Sequence, residues 1–437
     1  MARCVLVSRD WLRWFGAASG LVVAACGGTT GSSGPGASSG GDPPLTSGMG
    51  GSGNDSFMPA GASGGGTANA SGGGTANATA GASSNGGVND GGVGGATGGS
   101  AAGAAGAAGA SSPPASCTTP PMVGTVQGWA AVDAMGQATT DGGGAATLVT
   151  VTTLDELKKA VAGSTPAVVY LKGVFPPAGI PIGSNKTIVG LCGAEVHGHL
   201  GLSHSANVIV KNLKIVGYGV GDCSKDPAFD AAVGCSSGAD AVSISSASHH
   251  IWFDHCDISD GTDGNLDINA GSDFITISWT KFHYTPRTDT AGNDSTGASG
   301  HRFSNLIGSG DNVPEDVGHL NVTFHHDWWA ENVNQRMPRT RNGKIHVVNN
   351  LYSSKGDSYC TNAGFQTHLL VENNVYQGVK NPLSPDANGD MLARGNLFQD
   401  TLGTTSANGT GFTPPYTYTP EAPEPLAAAI TSGAGPH

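Results

Sequence analysis

Val322-Thr323-Phe324-His325-His326, His346-Val347-Val348-Asn349-Asn350-Leu351 and Leu370-Val371-Glu372-Asn373-Asn374-Val375 are copies of one short unit. The unit is two or three apolar residues, one or two of Asn, His or Asp, and a further apolar or aromatic pair. Upstream it occurs as Val208-Ile209-Val210-Lys211-Asn212-Leu213, Ile251-Trp252-Phe253-Asp254-His255-Cys256 and Ile275-Thr276-Ile277-Ser278-Trp279. A degraded copy, Leu392-Ala393-Arg394-Gly395-Asn396-Leu397-Phe398, lies downstream. Aligned on the polar bend, the copies fall at 212, 255, 279, 326, 350, 374 and 396, in steps of 22–24 residues or near double that. A period in the low twenties without helical periodicity predicts a stacked β-coil, three short strands and three turns per rung. Asparagines returning at one bend suit a ladder of side-chain amides along the stack. A β-sandwich with regularly spaced strands leaves that return unexplained. The fold class is therefore read as all-β, a single-stranded parallel β-helix. The long steps, between Asn212 and His255 and between Trp279 and His326, leave room for side loops, where chemistry is expected.

Ahead of the repeats, Thr153 and Glu156 have the spacing of a capping box, and Leu154, Leu157 and Val161 fall on one helical face. A short N-terminal capping helix is expected there, closing the open end of the stack. Ala167-Val168-Val169-Tyr170-Leu171 reads as a buried strand.

The first quarter of the chain is different. From Gly27 to Ser116 it is almost entirely Gly, Ser, Ala, Thr and Asn, including the near-copies Gly64–Ala70 and Gly72–Ala78. Such a stretch has too few apolar side chains to offset the entropy of ordering, so residues 27–116 read as a flexible tether. Residues 1–26 read as a targeting segment: Arg3, Arg9 and Arg13, an apolar run from Trp14, and Val23-Ala24-Ala25-Cys26, which resembles a bacterial lipobox. A lipid on Cys26 is the expected membrane attachment, making the protein secreted or cell-surface, an outer-membrane lipoprotein. An ordinary secretory signal ending near a cysteine is the alternative. Residues 117–437 form one domain, long enough to bury a core and expected to act as a monomer. Its six cysteines permit fifteen full pairings. Cys223 with Cys235 is the one specific expectation, because they bracket one Gly/Asp/Ala-rich loop. The net charge of −13 argues against nucleic acid as the partner.

Two constellations carry chemistry. The acidic one is Asp240 with Asp263-Gly264-Asn265-Leu266-Asp267. Asp263 and Asp267 share a face in extended chain, and Asp240 lies about one rung earlier, so carboxylates from adjacent rungs can meet on one hard cation such as Ca2+. Taken alone, an Asp-rich turn more often binds no metal. The basic one is Arg336-Met337-Pro338-Arg339-Thr340-Arg341-Asn342-Gly343-Lys344. Arg339 and Arg341 share a face in extended chain, and guanidinium groups match carboxylates in bidentate geometry. A solvated basic edge is the plainer reading. His255 and His326 occupy the repeated bend, which favours structural roles; Trp328 and Trp329 suit either sugar stacking or core packing.

These residues also carry a family resemblance. Ile251–Cys256, the rung from Asp263 to Trp279, and Val322–His326 followed by Arg336–His346 resemble, in this order, the signatures of the pectate lyase family (polysaccharide lyase family 1). The likeness covers roughly Cys117 to Asp400. It implies a right-handed parallel β-helix and a calcium-dependent lyase that cleaves polygalacturonate by β-elimination. Asp240, Asp263 and Asp267 would bind Ca2+, Arg336 would be the base, and Arg339 and Arg341 would hold substrate carboxylates. The family's usual substrate-binding lysine is replaced; after a loop from Arg287 to Gly300 the best match is Arg302. Related pectin lyases lack the calcium carboxylates, so retention of three Asp favours the de-esterified polymer. Calcium would stabilise charge developing beside the substrate carboxylate. An arginine base is protonated near neutral pH, so the resemblance implies activity rising into alkaline pH, or a water or hydroxide positioned by Arg336. Two other classes compete: a β-helix hydrolase using Asp263 and Asp267 as acid and base, and a surface polysaccharide-binding module built on Arg339, Arg341 and the tryptophans.

Overall fold

The computed structural model describes residues 123–286 and 301–437. The targeting segment, the tether and the Arg287–Gly300 loop lie outside the described residues.

The apolar triplets of the repeat form one parallel ladder of ten strands, from Leu148–Val151 to Asp390–Arg394. Its register runs Lys211, Asp254, Ser278, His325, Val348, Glu372, Arg394 from rung to rung. A second, 15-stranded path covers the other two sides of the coil. The long strand Glu195–Ser203 belongs to both sides: Glu195–His197 pairs with Lys214–Val216, and Leu200–Ser203 with Val242–Ser245. Every one of these ladder pairings is parallel, as a coil wound in one sense requires. The expected all-β parallel β-helix is the fold observed.

Alternation decides what each strand buries. Val208, Ile251, Ile275, Val322, Ile345 and Leu369 occupy one column, wholly buried. A second column is aromatic: Phe282, Trp329, Tyr352, Tyr376 and Phe398 stack with ring centroids 4.2–5.8 Å apart. Trp329 is therefore core. Its neighbour Trp328 lies under the Lys281 ammonium, 4.7 Å from the ring centroid, and packs toward the C-terminal helix Leu426–Gly433. Neither tryptophan is left as a sugar platform.

The bend after the first ladder corrects the alignment by one position. Asn212, His255, Trp279, His326, Asn349, Asn373 and Gly395 stack with φ between +48° and +67°, so the last three rungs align on 349, 373 and 395, not 350, 374 and 396. Asparagine is among the few residues that tolerate this left-handed conformation. His255, Trp279 and His326 pay its steric strain and recover it by stacking, with centroids 5.6 and 4.5 Å apart. Their roles are structural. The amide ladder is the next column: the backbone N–H of Asp327, Asn350 and Asn374 donates to the side-chain oxygen of Asn350, Asn374 and Asn396 at 2.7–2.9 Å. Two adjacent columns both favour Asn, for different reasons, and apolar spacing does not tell them apart.

The helix Leu154–Val161 has the full capping box and buries Leu157 and Val161 against the first rungs. Cys223 and Cys235 form the expected disulfide across the first side loop, and Cys192 is in a disulfide too. Cys256 and Cys360 are free and buried. The outer face of the ten-stranded ladder is covered by segments from both ends of the domain. Trp129 and Ala130 donate backbone N–H bonds to Thr323 and Thr276, the Tyr418 hydroxyl donates to Glu372, and His437 N–H reaches the Asn212 side chain. Among the described residues, that cover lies on the ten-stranded ladder and not on the side carrying Asp267 and Arg339.

Candidate active site

Ser243 pairs with Asp267 across adjacent rungs, so Asp240 stands one rung from the Asp263–Asp267 segment, as its sequence position predicts. That segment is not one extended strand. It bends at Thr262 and Asp263, bridges Phe303 through Gly264, and becomes strand only at Leu266–Ile268. The bend turns Asp263 toward His301, whose Nε2 lies 2.6 Å from its carboxylate. Asp240 and Asp267 converge above Gly264: a Cβ added there would lie 3.0 Å from Asp240 Oδ1 and 3.1 Å from Asp267 Oδ1. The absent side chain of Gly264 opens an oxygen-lined cradle.

The electrostatics of the cradle are unbalanced. Asp240 Oδ1 is buried without a hydrogen-bond partner among the described residues, while its Oδ2 accepts from Ser243. Burial, then the charges of Asp267 and Asp263, push the Asp240 carboxyl well above the usual carboxylate range. Asp267 is pushed up to about 7 by burial, opposed by the Arg336 charge and by the Leu306 N–H bond. Three carboxylates face one guanidinium, so a divalent cation would neutralise the excess. An all-oxygen donor set suits calcium rather than zinc. Among the described residues no group of three or more acidic, His or Cys side chains is already placed around one metal position.

Arg336 reaches the same place from two rungs further on, where Gln335 bridges Phe303. It is 6 % exposed, has φ +63°, and its guanidinium lies 4.2 Å over the Phe303 ring. Its Nε and Nη1 are buried without hydrogen-bond partners among the described residues. Arg302 flanks Phe303 on the intervening rung, its carbonyl accepting from Asn334 N–H. Arg339, in the strand Arg339–Thr340, pairs with Leu306 on one side and Asn362 on the other. Arg339 and Arg341 do share a face: both line a cavity of about 420 Å³ with Asp311, Phe365 and Asp386. Arg341 is lowered from its ordinary pKa by burial, then by the Arg339 charge, and its Nε donates to Asp311 Oδ1 at 3.0 Å.

Sequence reading missed His301, Phe303 and Asp311. His301 is adjacent to Arg302, a detectable hint; Asp311 lies 30 residues from Arg341 in a side loop, and no period connects them.

The family model described as pectate lyase matches residues 74–432. The chain belongs to the pectate lyase family. The match begins inside the stretch read as tether. Among relatives, the pectate trisaccharide-lyase of Thermotoga maritima is 35 % identical over 220 residues, 49 % of this chain and 53 % of that protein. Pectate lyase A of Aspergillus niger is 32 % identical over 288 residues, 63 % of this chain and 78 % of the relative. The chain thus spans about half of the first and over three quarters of the second. A Bacillus subtilis pectate lyase variant shares the fold with a TM-score of 0.55 at 23 % identity, over 70 % of this chain and 96 % of that one. A pectate lyase solved with a bound hexasaccharide has a TM-score of 0.56 at 23 % identity, over 72 % and 97 %.

Proposed function

We propose that this pectate lyase family member cleaves α-1,4-polygalacturonate by calcium-dependent β-elimination, releasing 4,5-unsaturated oligogalacturonides. The observation that carries the reading is Arg336, buried beside the Asp240–Asp267 cradle with two nitrogens that have no hydrogen-bond partner among the described residues. Asp240, Asp263 and Asp267 would hold the calcium. Held by those residues, calcium would supply positive charge beside the substrate carboxylate and so make the neighbouring C5 proton more acidic. Arg336 takes that proton, directly or through a water it orients; the C5–H electrons form the C4–C5 double bond, the C4–O4 bond breaks, and O4 leaves with the rest of the chain and gains a proton from water. Activity is expected to rise into alkaline pH, where removal of a proton by an arginine or by a water beside it is easier. Arg339, Arg341 and Arg302 orient the polymer through its carboxylates.

The proposal includes export by residues 1–26, a lipid on Cys26, a tether over 27–116 and a monomeric catalytic domain over 117–437. The Cys223–Cys235 disulfide supports an oxidising compartment.

The test is ultraviolet absorbance of unsaturated product from polygalacturonate, with calcium and then with excess chelator. Absorbance that rises with calcium and vanishes on chelation is expected. Chain cleavage without absorbance identifies a hydrolase, and no cleavage of any pectic polymer leaves a binding module. Arg336→Ala is expected to lower turnover by about 10³-fold while sparing polymer binding; turnover within a few-fold of the parent removes Arg336 as the base.

A further inference from the structure

Little that is directional holds the Arg336 guanidinium. Its Nε and Nη1 have no hydrogen-bond partner among the described residues, so neither nitrogen sets the plane of the group. Its charge acts on Asp240 and Asp267, but attraction between charges favours a short distance without choosing an orientation. Neutralising those carboxylates with a cation would remove even that attraction. The contact that can orient the group is the Phe303 ring, whose centroid is 4.2 Å from the Arg336 Cζ. A guanidinium stacks on an aromatic face and is attracted by the ring quadrupole, whatever the charge state of the carboxylates.

Phe303 is itself firmly placed, between the two constellations. Its backbone bridges Gly264 of the cradle on one rung and Gln335, next to Arg336, on the following one. Its carbonyl accepts the Tyr284 hydroxyl at 2.7 Å and the Asn265 N–H at 3.1 Å. The ring also meets the His301 imidazole, with centroids 3.8 Å apart, and His301 is the group beside Asp263. At 7 % exposure Phe303 has little surface left to offer a polymer.

We propose that Phe303 is a positioning residue: its ring holds the Arg336 guanidinium in the orientation from which it takes the proton. The inference rests on the reading of Arg336 as the base of a polygalacturonate lyase. Phe303 then acts through Arg336 and not on the polymer, so its removal should slow turnover and spare binding.

Phe303→Leu tests this, since leucine stays apolar and loses the aromatic face. Phe303→Met, whose flexible side chain fills irregular gaps, takes its place if the leucine variant does not fold. Unsaturated-product formation from polygalacturonate is measured at saturating calcium, per folded protein, in the parent and in the Arg336→Ala background. A desolvated contact of this kind corresponds to about a tenfold effect, so kcat should fall about tenfold with KM within about twofold of the parent. In the Arg336→Ala background, where no guanidinium is left to orient, the same substitution should change the residual rate by less than about twofold. An unchanged kcat, a loss carried by KM, or a tenfold loss that persists without Arg336 overturns the proposal; the last is general damage to the fold.

Chemical denaturation of the same proteins reads the contact without turnover. Phe303→Leu should lower the folding equilibrium constant about fivefold more in the parent than in the Arg336→Ala background. Equal losses overturn the proposal. If the difference is present but the parent forms no unsaturated product, the reaction reading fails and Phe303 still positions Arg336. If product forms and kcat ignores Phe303, the reaction reading stands and the positioning role is lost.

Discussion

Gly264→Ala would place one methyl group in the cradle without altering any charge. Gly264 is outside the left-handed region, so the backbone accepts alanine. The new Cβ would meet Asp240 Oδ1 at 3.0 Å and Asp267 Oδ1 at 3.1 Å, where ordinary contact begins at 3.4 Å. Each carboxylate must then retreat by a few tenths of an ångström. Calcium–oxygen distances span only about 2.3–2.6 Å, so a retreat of that size is comparable to the whole tolerated range. The methyl group also occupies space next to where the cation would sit. Disturbing the surroundings of metal ligands costs about 10–100-fold in affinity, and the calcium concentration for half-maximal activity is expected to rise by that factor. The calcium-free fold should hardly notice: overpacking of about 1 kcal/mol lowers Tm by only about 2 °C in a domain of this size. The assay is unsaturated-product formation across a calcium titration, with melting in chelator as the control. An unchanged calcium response in a folded variant would refute the placement of the cation between Asp240 and Asp267.

Three further outcomes follow from other parts of the structure. Asp267 is raised to about 7 from an ordinary 3.8, so between those values the calcium-free fold holds a proton that the unfolded chain lacks. That contribution makes the calcium-free fold less stable as pH rises, and calcium must displace the proton; the calcium-induced gain in Tm should therefore be near zero at pH 5 and grow through pH 7, and a gain independent of pH would contradict the shift. Asn374→Ala removes the acceptor for both the N–H and the side-chain amide of Asn350, all of it buried. A loss of about 3 kcal/mol in chemical denaturation is expected, with the calcium response untouched; a loss under 1 kcal/mol would mean that the ladder is ornamental. Asp267→Asn should abolish the calcium requirement together with activity, measured as product absorbance at saturating calcium; full activity would remove Asp267 from the ligand set.

The repeat was legible because a stacked coil maps sequence separation onto space. Residues one period apart become neighbours in a parallel ladder, so the spacing of Ile251, Ile275 and Val322 already states which side chains pack on which. By the same mapping Asp240 and Asp267 were brought to adjacent rungs, while the alternation of extended chain put Arg339 and Arg341 on one cavity. The capping box of the N-terminal helix and the Cys223–Cys235 loop closure were legible for a simpler reason, being local.

What the period does not encode was decided by tertiary structure. Trp279 and Asn349 share a column although nothing in their chemistry is alike, because stacking sustains one in a backbone conformation that its amide gives the other. The burial of Trp329 and the partial exposure of Trp328 follow from which face of a two-residue strand meets the core. The meeting of Asp311 with Arg341, the closeness of His301 to Asp263 and the cover over the ten-stranded ladder all join residues from side loops or chain ends to the coil. The separations of 30 and 38 residues, 311 to 341 and 263 to 301, match no period, and Tyr418 reaches Glu372 from beyond the last rung. The sequence by itself thus determined the coil and the chemical identity of the cradle, because both rest on repetition and on residue type. Only the folded chain decided the charge balance around that cradle, because loop residues find their partners through the path of the backbone and not through spacing.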